Sequence, residues 1–137
     1  MPVSTNAFIS PQAIKVGSAR CVAAKTTFAD LVNAVPLFQA GANGARIVRV
    51  TAMPCMTVTA CQLMLWYTDQ AGALAIAKNS LPMAAFTMGP TVAVPYYDFG
   101  YSEDYPLYLK PNDQLYCSTG VAFATNGVAF TAEGMDY

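Results

Sequence analysis

The chain has 137 residues, of which 55 % are hydrophobic and only 11 % charged, with seven basic residues, eight acidic residues and no histidine. A domain of that length buries roughly two-thirds of its unfolded surface without help from disulfides or metals, and so high an apolar content excludes disorder. A net charge of −1 excludes an electrostatic nucleic-acid binder, which needs a basic surface to displace counterions, and the missing imidazole removes the commonest general base, zinc ligand and pH switch.

Residues 1–18 mix Ser, Thr, Asn and Pro with isolated Phe8 and Ile9. They read as an extended N-terminal arm preceding a single domain over 19–137. Such an arm suits strand addition to a neighbour's sheet edge. The basic region and continuous apolar block of a secretory signal are missing from it. Residues 26–35 suit either a short helical turn or a strand edge. A strand over 36–40 then leads to the turn Gly41–Ala42–Asn43–Gly44.

From there the dominant period is two. In 45–53, Val48, Val50 and Ala52 share one face and Arg49 and Thr51 the other. In 61–68, Leu63, Leu65 and Tyr67 alternate with Gln62, Met64 and Trp66. A turn at 69–72 precedes a strand at 74–77. Residues 79–95, rich in Ala, Met and Pro, are predicted as a long crossing loop with a helical turn at 82–86. Leu107 and Leu109 flank Tyr108 in the next strand. Lys110–Pro111–Asn112–Asp113 is a tight turn, with Pro111 presetting φ. Leu115 and Cys117 alternate with Gln114, Tyr116 and Ser118. Asn126–Gly127 predicts a hairpin between 121–125 and 128–132, since Asn-Gly favours the positive φ values of a type I′ turn. The sum is an all-β protein: a β-sandwich of about eight strands, jelly-roll-like.

Three spans without charge, 50–68, 79–97 and 114–132, are long enough to cross a membrane. Their prolines, threonines and turn residues argue against it, so no membrane partner is expected. The few charges carry a further implication. Soluble monomers keep charged side chains interspersed over their surface. A chain this poor in them is expected to hide much of its exterior against other protein.

The chemistry-bearing residues support no catalytic set. Asp98–Phe99–Gly100 matches a kinase metal-binding triplet, but the catalytic and glycine-rich loops are missing. Asp98, Glu103 and Asp104 gather carboxylates in one loop without the spacing of a calcium-binding EF-hand. Serines and threonines lack a base, no GxSxG occurs, and a cysteine nucleophile would lack its histidine. No enzyme activity, metal or cofactor is expected. Cys21, Cys55, Cys61 and Cys117 show no paired CxxC spacing and read as reduced thiols in apolar contexts. A Cys55–Cys61 disulfide is left open.

Contact residues are better represented. Tyr96, Tyr97, Phe99, Tyr101, Tyr105 and Tyr108 lie close together. Tyrosine combines a large rigid surface with a polar tip and is enriched in interfaces. Arg46 and Arg49 flank Val48 and suit pairing with a neighbour's carboxylates. The candidate interface therefore comprises Phe8, Ile9, Arg46, Arg49, Tyr96, Tyr97, Tyr101, Glu103, Asp104 and Tyr105.

The blocks STNAFISPQ (4–12), NGARIVRVTAMP (43–54), DFGYSEDYPLYLKPNDQLY (98–116) and AEGMDY (132–137) resemble small structural proteins encoded among the head genes of tailed bacteriophages and prophages. The resemblance implies a virion component of the capsid decoration or cement type. It further implies a β-sandwich or jelly roll, synthesis in the host cytoplasm, and a homo-oligomer, commonly a trimer, seated on the major capsid protein at the capsid surface. The alternatives are a tail, neck or fibre subunit, and a carbohydrate-binding module that stacks sugars on the tyrosines and Trp66.

Overall fold

The alternating pattern resolves into nine strands, and the described residues contain no helix. They are β1 (Ala13–Cys21), β2 (Val35–Gln39), β3 (Ala45–Pro54), β4 (Cys61–Thr68), β5 (Ala75–Met83), β6 (Tyr97–Asp98), β7 (Leu107–Leu109), β8 (Gln114–Thr119) and β9 (Val128–Asp136). The structure, a computed structural model, describes residues 13–69 and 74–137. One sheet runs β1-β9-β3-β6, with β7 also paired to β3, and the other runs β2-β8-β4-β5. Every pairing is antiparallel.

The pairs nest when β6 and β7 are taken as two pieces of one strand. β1 pairs with β9, β2 with β8, β3 with β6 and β7, and β4 with β5. Successive strands change sheet except at the central β4–β5 hairpin. One long antiparallel ribbon folded back on itself has this order, and it is the jelly roll.

The inner faces meet in one core built on Ile47, Val50, Leu63, Leu65, Leu115, Val128 and Phe130, all fully buried. Each such side chain contributes roughly 1.5–3 kcal/mol by leaving water. β1 closes against β2 because Gly17 has no side chain: a Cβ there would overlap the Leu37 carbonyl oxygen. One end is clasped by Lys15, whose Nζ donates to the Gln39 carbonyl and lies 3.2 Å from Asp136 Oδ2. Asp136 Oδ1 accepts from Gly41 N at 3.1 Å, which ties the β2–β3 turn to β9.

Several expectations are corrected. The arm was expected through residue 18, but residues 13–18 already belong to β1. Its alternation is of period two: Ile14, Val16, Ser18 and Arg20 on one face, Lys15, Gly17, Ala19 and Cys21 on the other. Phe8 and Ile9 lie outside the described residues, as does most of the 69–72 turn. Residues 79–83 are not loop but the end of β5. Pro82 is tolerated there because β5 is an edge strand and needs no donor on its free side. The stretch 82–86 forms no helical turn, and 26–34 forms neither helix nor strand.

In β3 the alternation slips at a bulge between Ile47 and Arg49. Ala45 and Ile47 point inward before it, Val50 and Ala52 after it, and Val48 is only half-buried. Residues 121–125 are not a strand, so Asn126–Gly127 closes no hairpin. Gly127 does have positive φ (54°), but what it permits is close passage over β1, since a Cβ there would overlap the Cys21 carbonyl oxygen. The turn at 110–113 forms as expected, with Asp113 N on Lys110 O at 3.1 Å and Asn112 at φ 63°.

Candidate interaction surface

The outer faces of the two sheets are treated differently by the chain. On the second sheet, Met64, Trp66, Thr68 and Ser118 point away from the core yet are buried. The loop over 22–34 lies across Trp66 and the end of β8. Lys25 N bonds Thr119 O at 2.9 Å and anchors the loop to the sheet. Its Nζ sits 4.6 Å above the Trp66 ring, and Phe28 stacks at 6.3 Å. Trp66 Nε1 donates to Ser118 Oγ at 2.8 Å, so its polar atom is satisfied. Lys25, only 4 % exposed, reaches Asp30 Oδ1 at 3.0 Å and Val32 O at 3.1 Å. Hydrogen bonds from Thr27 and Lys25 hold the Asp30 carboxyl below its ordinary value.

On the first sheet, no described residue covers the outer face. Cross-strand register sets its side chains in rows. One row is Ile14, Met135, Arg46 and Tyr108; the next is Val16, Glu133 and Arg49. A third is Ser18, Thr131, Thr51 and Asp98, and a fourth Arg20, Ala129 and Met53. Ile14 is 87 % exposed, Val16 62 % and Tyr108 63 %, and Met53 is also open. Arg46 lies flat along its row, with Nη2 3.7 Å from Met135 Sδ. Arg49 faces Glu133 across the β3–β9 ladder. Both arginines expected at an interface are therefore on this face, interleaved with apolar side chains.

The tyrosine cluster divides. Tyr96, Tyr105 and Tyr108 are exposed. Tyr97 and Tyr101 are half-buried and pack against the core. Tyr97 Oη accepts from Ala84 N at 3.2 Å, and Tyr101 Oη accepts from Asn79 Nδ2 at 3.5 Å. Burial raises the Tyr101 hydroxyl above its ordinary value. Glu103 and Asp104 are exposed on a turn pinned by Tyr105 N on Ser102 Oγ at 3.2 Å. Asp98 Oδ1 accepts from Gly100 N at 2.8 Å. Among the described residues, no three His, Cys, Asp or Glu side chains gather as metal ligands.

A second feature lies at the open edge between the sheets. Tyr67, Ile76, Lys78, Tyr108, Leu109 and Lys110 line a cleft of about 420 Å³. Tyr67 Oη donates to Asp113 Oδ2. Burial, reinforced by that carboxylate, pushes the Tyr67 hydroxyl up to about 12.

Ile14, Val16 and Met53 were not anticipated as contact residues. The first two fell inside the expected arm, although their period-two spacing was a readable signal. Met53 follows the inward Ala52 and so faces out. No helix among the described residues is long and apolar enough to cross a membrane. Comparison with known protein families, curated proteins and solved structures finds no match.

Proposed function

We propose that the protein is a non-enzymatic structural component that acts by contact, a decoration or cement-type protein of a tailed-phage head. It seats the outer face of its first sheet on the major capsid protein. The observation that carries this reading is the asymmetry of the two sheets. The chain lays its own loop over Trp66 at the middle of one outer face and lays none over the other among the described residues, where Ile14, Val16, Met53 and Tyr108 are exposed. The low charge content supports the same reading, because an exterior with few ions is suited to being covered. The partner class rests on the resemblance of the sequence blocks to phage head proteins. The jelly roll is compatible but not decisive, since capsid proteins, lectins and cupins share it. The carbohydrate reading loses two of its stacking groups, because Trp66 is fully buried and Tyr97 packs inward.

Binding only to the assembled shell stabilises that shell by mass action. Closed symmetry, with a trimer favoured, would multiply the contacts of each copy. The test is co-sedimentation of the purified protein with shells assembled without it, followed by heating. The wild-type protein should bind and raise the temperature at which the shells break. Ile14→Asp/Tyr108→Asp should bind about 100-fold more weakly, as expected where two large apolar contacts are each replaced by a charge, with an unchanged circular dichroism spectrum. Equal binding by both proteins, or shells that break at the same temperature with and without the wild type, would reject the reading.

A further inference from the structure

Cys21 and Cys117 come from different sheets, 96 positions apart in sequence, and their sulfurs lie 3.4 Å from each other in the core. Both residues are fully buried, and both are free thiols. Cys21 ends β1, an edge strand; Cys117 lies in β8, in the interior of the opposite sheet. The usual reading of a buried thiol is a small apolar filler. That reading accounts for one cysteine at a time, and it does not account for two sulfurs meeting across the sandwich. Cys117 Sγ has as its other polar neighbour the Val35 carbonyl, a longer contact at 3.7 Å.

The distance to be closed is small. A disulfide needs its sulfurs about 2.0 Å apart, so each must travel roughly 0.7 Å, within reach of side-chain torsion and a slight shift of β1. β1 has one ladder partner, β9, although residues 123–127 also cross its last residue. The other two cysteines, Cys55 and Cys61, are only half-buried, and no contact joins their sulfurs to each other.

We infer that Cys21 and Cys117 form a site of covalent modification, a latent inter-sheet disulfide that closes when the folded chain meets a low-molecular-weight disulfide such as oxidised glutathione. A local opening at the end of β1 exposes Cys21. Its thiolate, having given its proton to water, attacks one glutathione sulfur. The glutathione disulfide bond breaks, one glutathione leaves as the thiolate, and a mixed disulfide forms on Cys21. Cys117 then loses its proton and attacks the Cys21 sulfur of that mixed disulfide, expelling the second glutathione. The two protein thiols are oxidised by two electrons, one oxidised glutathione becomes two reduced ones, and the two protons end on the released thiols. The product fixes the outermost strand of one sheet to an inner strand of the other. It closes a long loop, and long loops are those whose closure most restricts the unfolded chain.

The experiment uses the full chain, as wild type and as Cys55→Ala/Cys61→Ala, which keeps the buried pair alone. Each is incubated folded with oxidised glutathione, quenched by alkylation in denaturant, digested without reduction and mapped by mass spectrometry. The expected product is a cross-linked Cys21–Cys117 peptide from a monomer lighter by two hydrogens. Its melting temperature should be about 10 °C higher, reversibly so on adding a reductant. Recovery of Cys21 and Cys117 as alkylated free thiols, whatever the state of Cys55 and Cys61, overturns the inference. So does a cross-link that appears only when the oxidant is added in denaturant, or one that leaves the melting temperature unchanged or lower.

Discussion

Lys25 shows how one side chain holds a face together. Its stem and charge cover Trp66 while Asp30 and the Val32 carbonyl satisfy the ammonium group. A desolvated cation over an indole is worth about 2 kcal/mol. Lys25→Ala should cost about that much in chemical denaturation and raise Trp66 fluorescence quenching by acrylamide. Lys25→Met should stay within about 1 kcal/mol of wild type, since an apolar side chain of similar length restores the cover. Asp30, held below its ordinary value, contributes stability that is present above the usual carboxylate range and is lost as pH falls through its folded value. Asp30→Asn should therefore flatten the acid limb of a stability–pH curve. Tyr67 works at the opposite end of the scale. Its hydroxyl is pushed up to about 12, above the unfolded value near 10. The folded state keeps this proton after the unfolded state has lost it, so stability is constant below about pH 10 and falls between about 10 and 12. Tyr67→Phe should remove that decline. At neutral pH it should cost about 1–3 kcal/mol, because buried Asp113 loses its donor. Denaturation curves at pH 8 and pH 11 decide the matter. The alternation that places Tyr67 was legible in the sequence; its pairing with Asp113 was not, because the two meet only through the β4–β8 ladder.

At the scale of elements, β1 is the strand most easily misjudged. Its ladder to β9 spans nine residue pairs, from Ala13↔Asp136 to Cys21↔Val128. A chain from which residues 1–18 are removed keeps three of the nine β1 residues. It should lose the cooperative thermal transition, since β9 would expose one side of its ladder and Phe130 would lose cover. A truncated chain that melts like the full one would contradict the assignment. The reason β1 was hidden is physical: it is an edge strand with one face open, so its apolar residues alternate with small and polar ones. The buried strands β4 and β8 carry plainer signals. β3 was legible except at its bulge, which shifted the inward set from Val48 to Ile47. The 126–127 turn misled for a related reason. Asn-Gly favours positive φ, and Gly127 has it, but the residues before it are spent on crossing β1.

For the whole molecule, the fold class followed from period-two patterning and turn residues, whereas the nesting of strand pairs depends on contacts between distant segments. The make-up of the open face was half legible. Arg46 and Arg49 stand on the open face, while Tyr97 and Tyr101 were given to the core. That face combines exposed Ile14, Val16 and Tyr108 with an arginine–glutamate neighbour pair already on the same surface. Binding through it should rest on apolar burial, which salt does not screen. On the proposed reading, affinity for the shell should change by less than about threefold between low and high salt. A steep loss would assign the energy to the arginines instead. The nesting has its own outcome for biosynthesis. Ala13 is made long before its partner Asp136, which lies 123 positions further along the chain. The first strand therefore waits, unpaired and with Ile14 and Val16 in water, until synthesis has passed the ninth. Chaperones that shield nascent apolar segments have that interval in which to act.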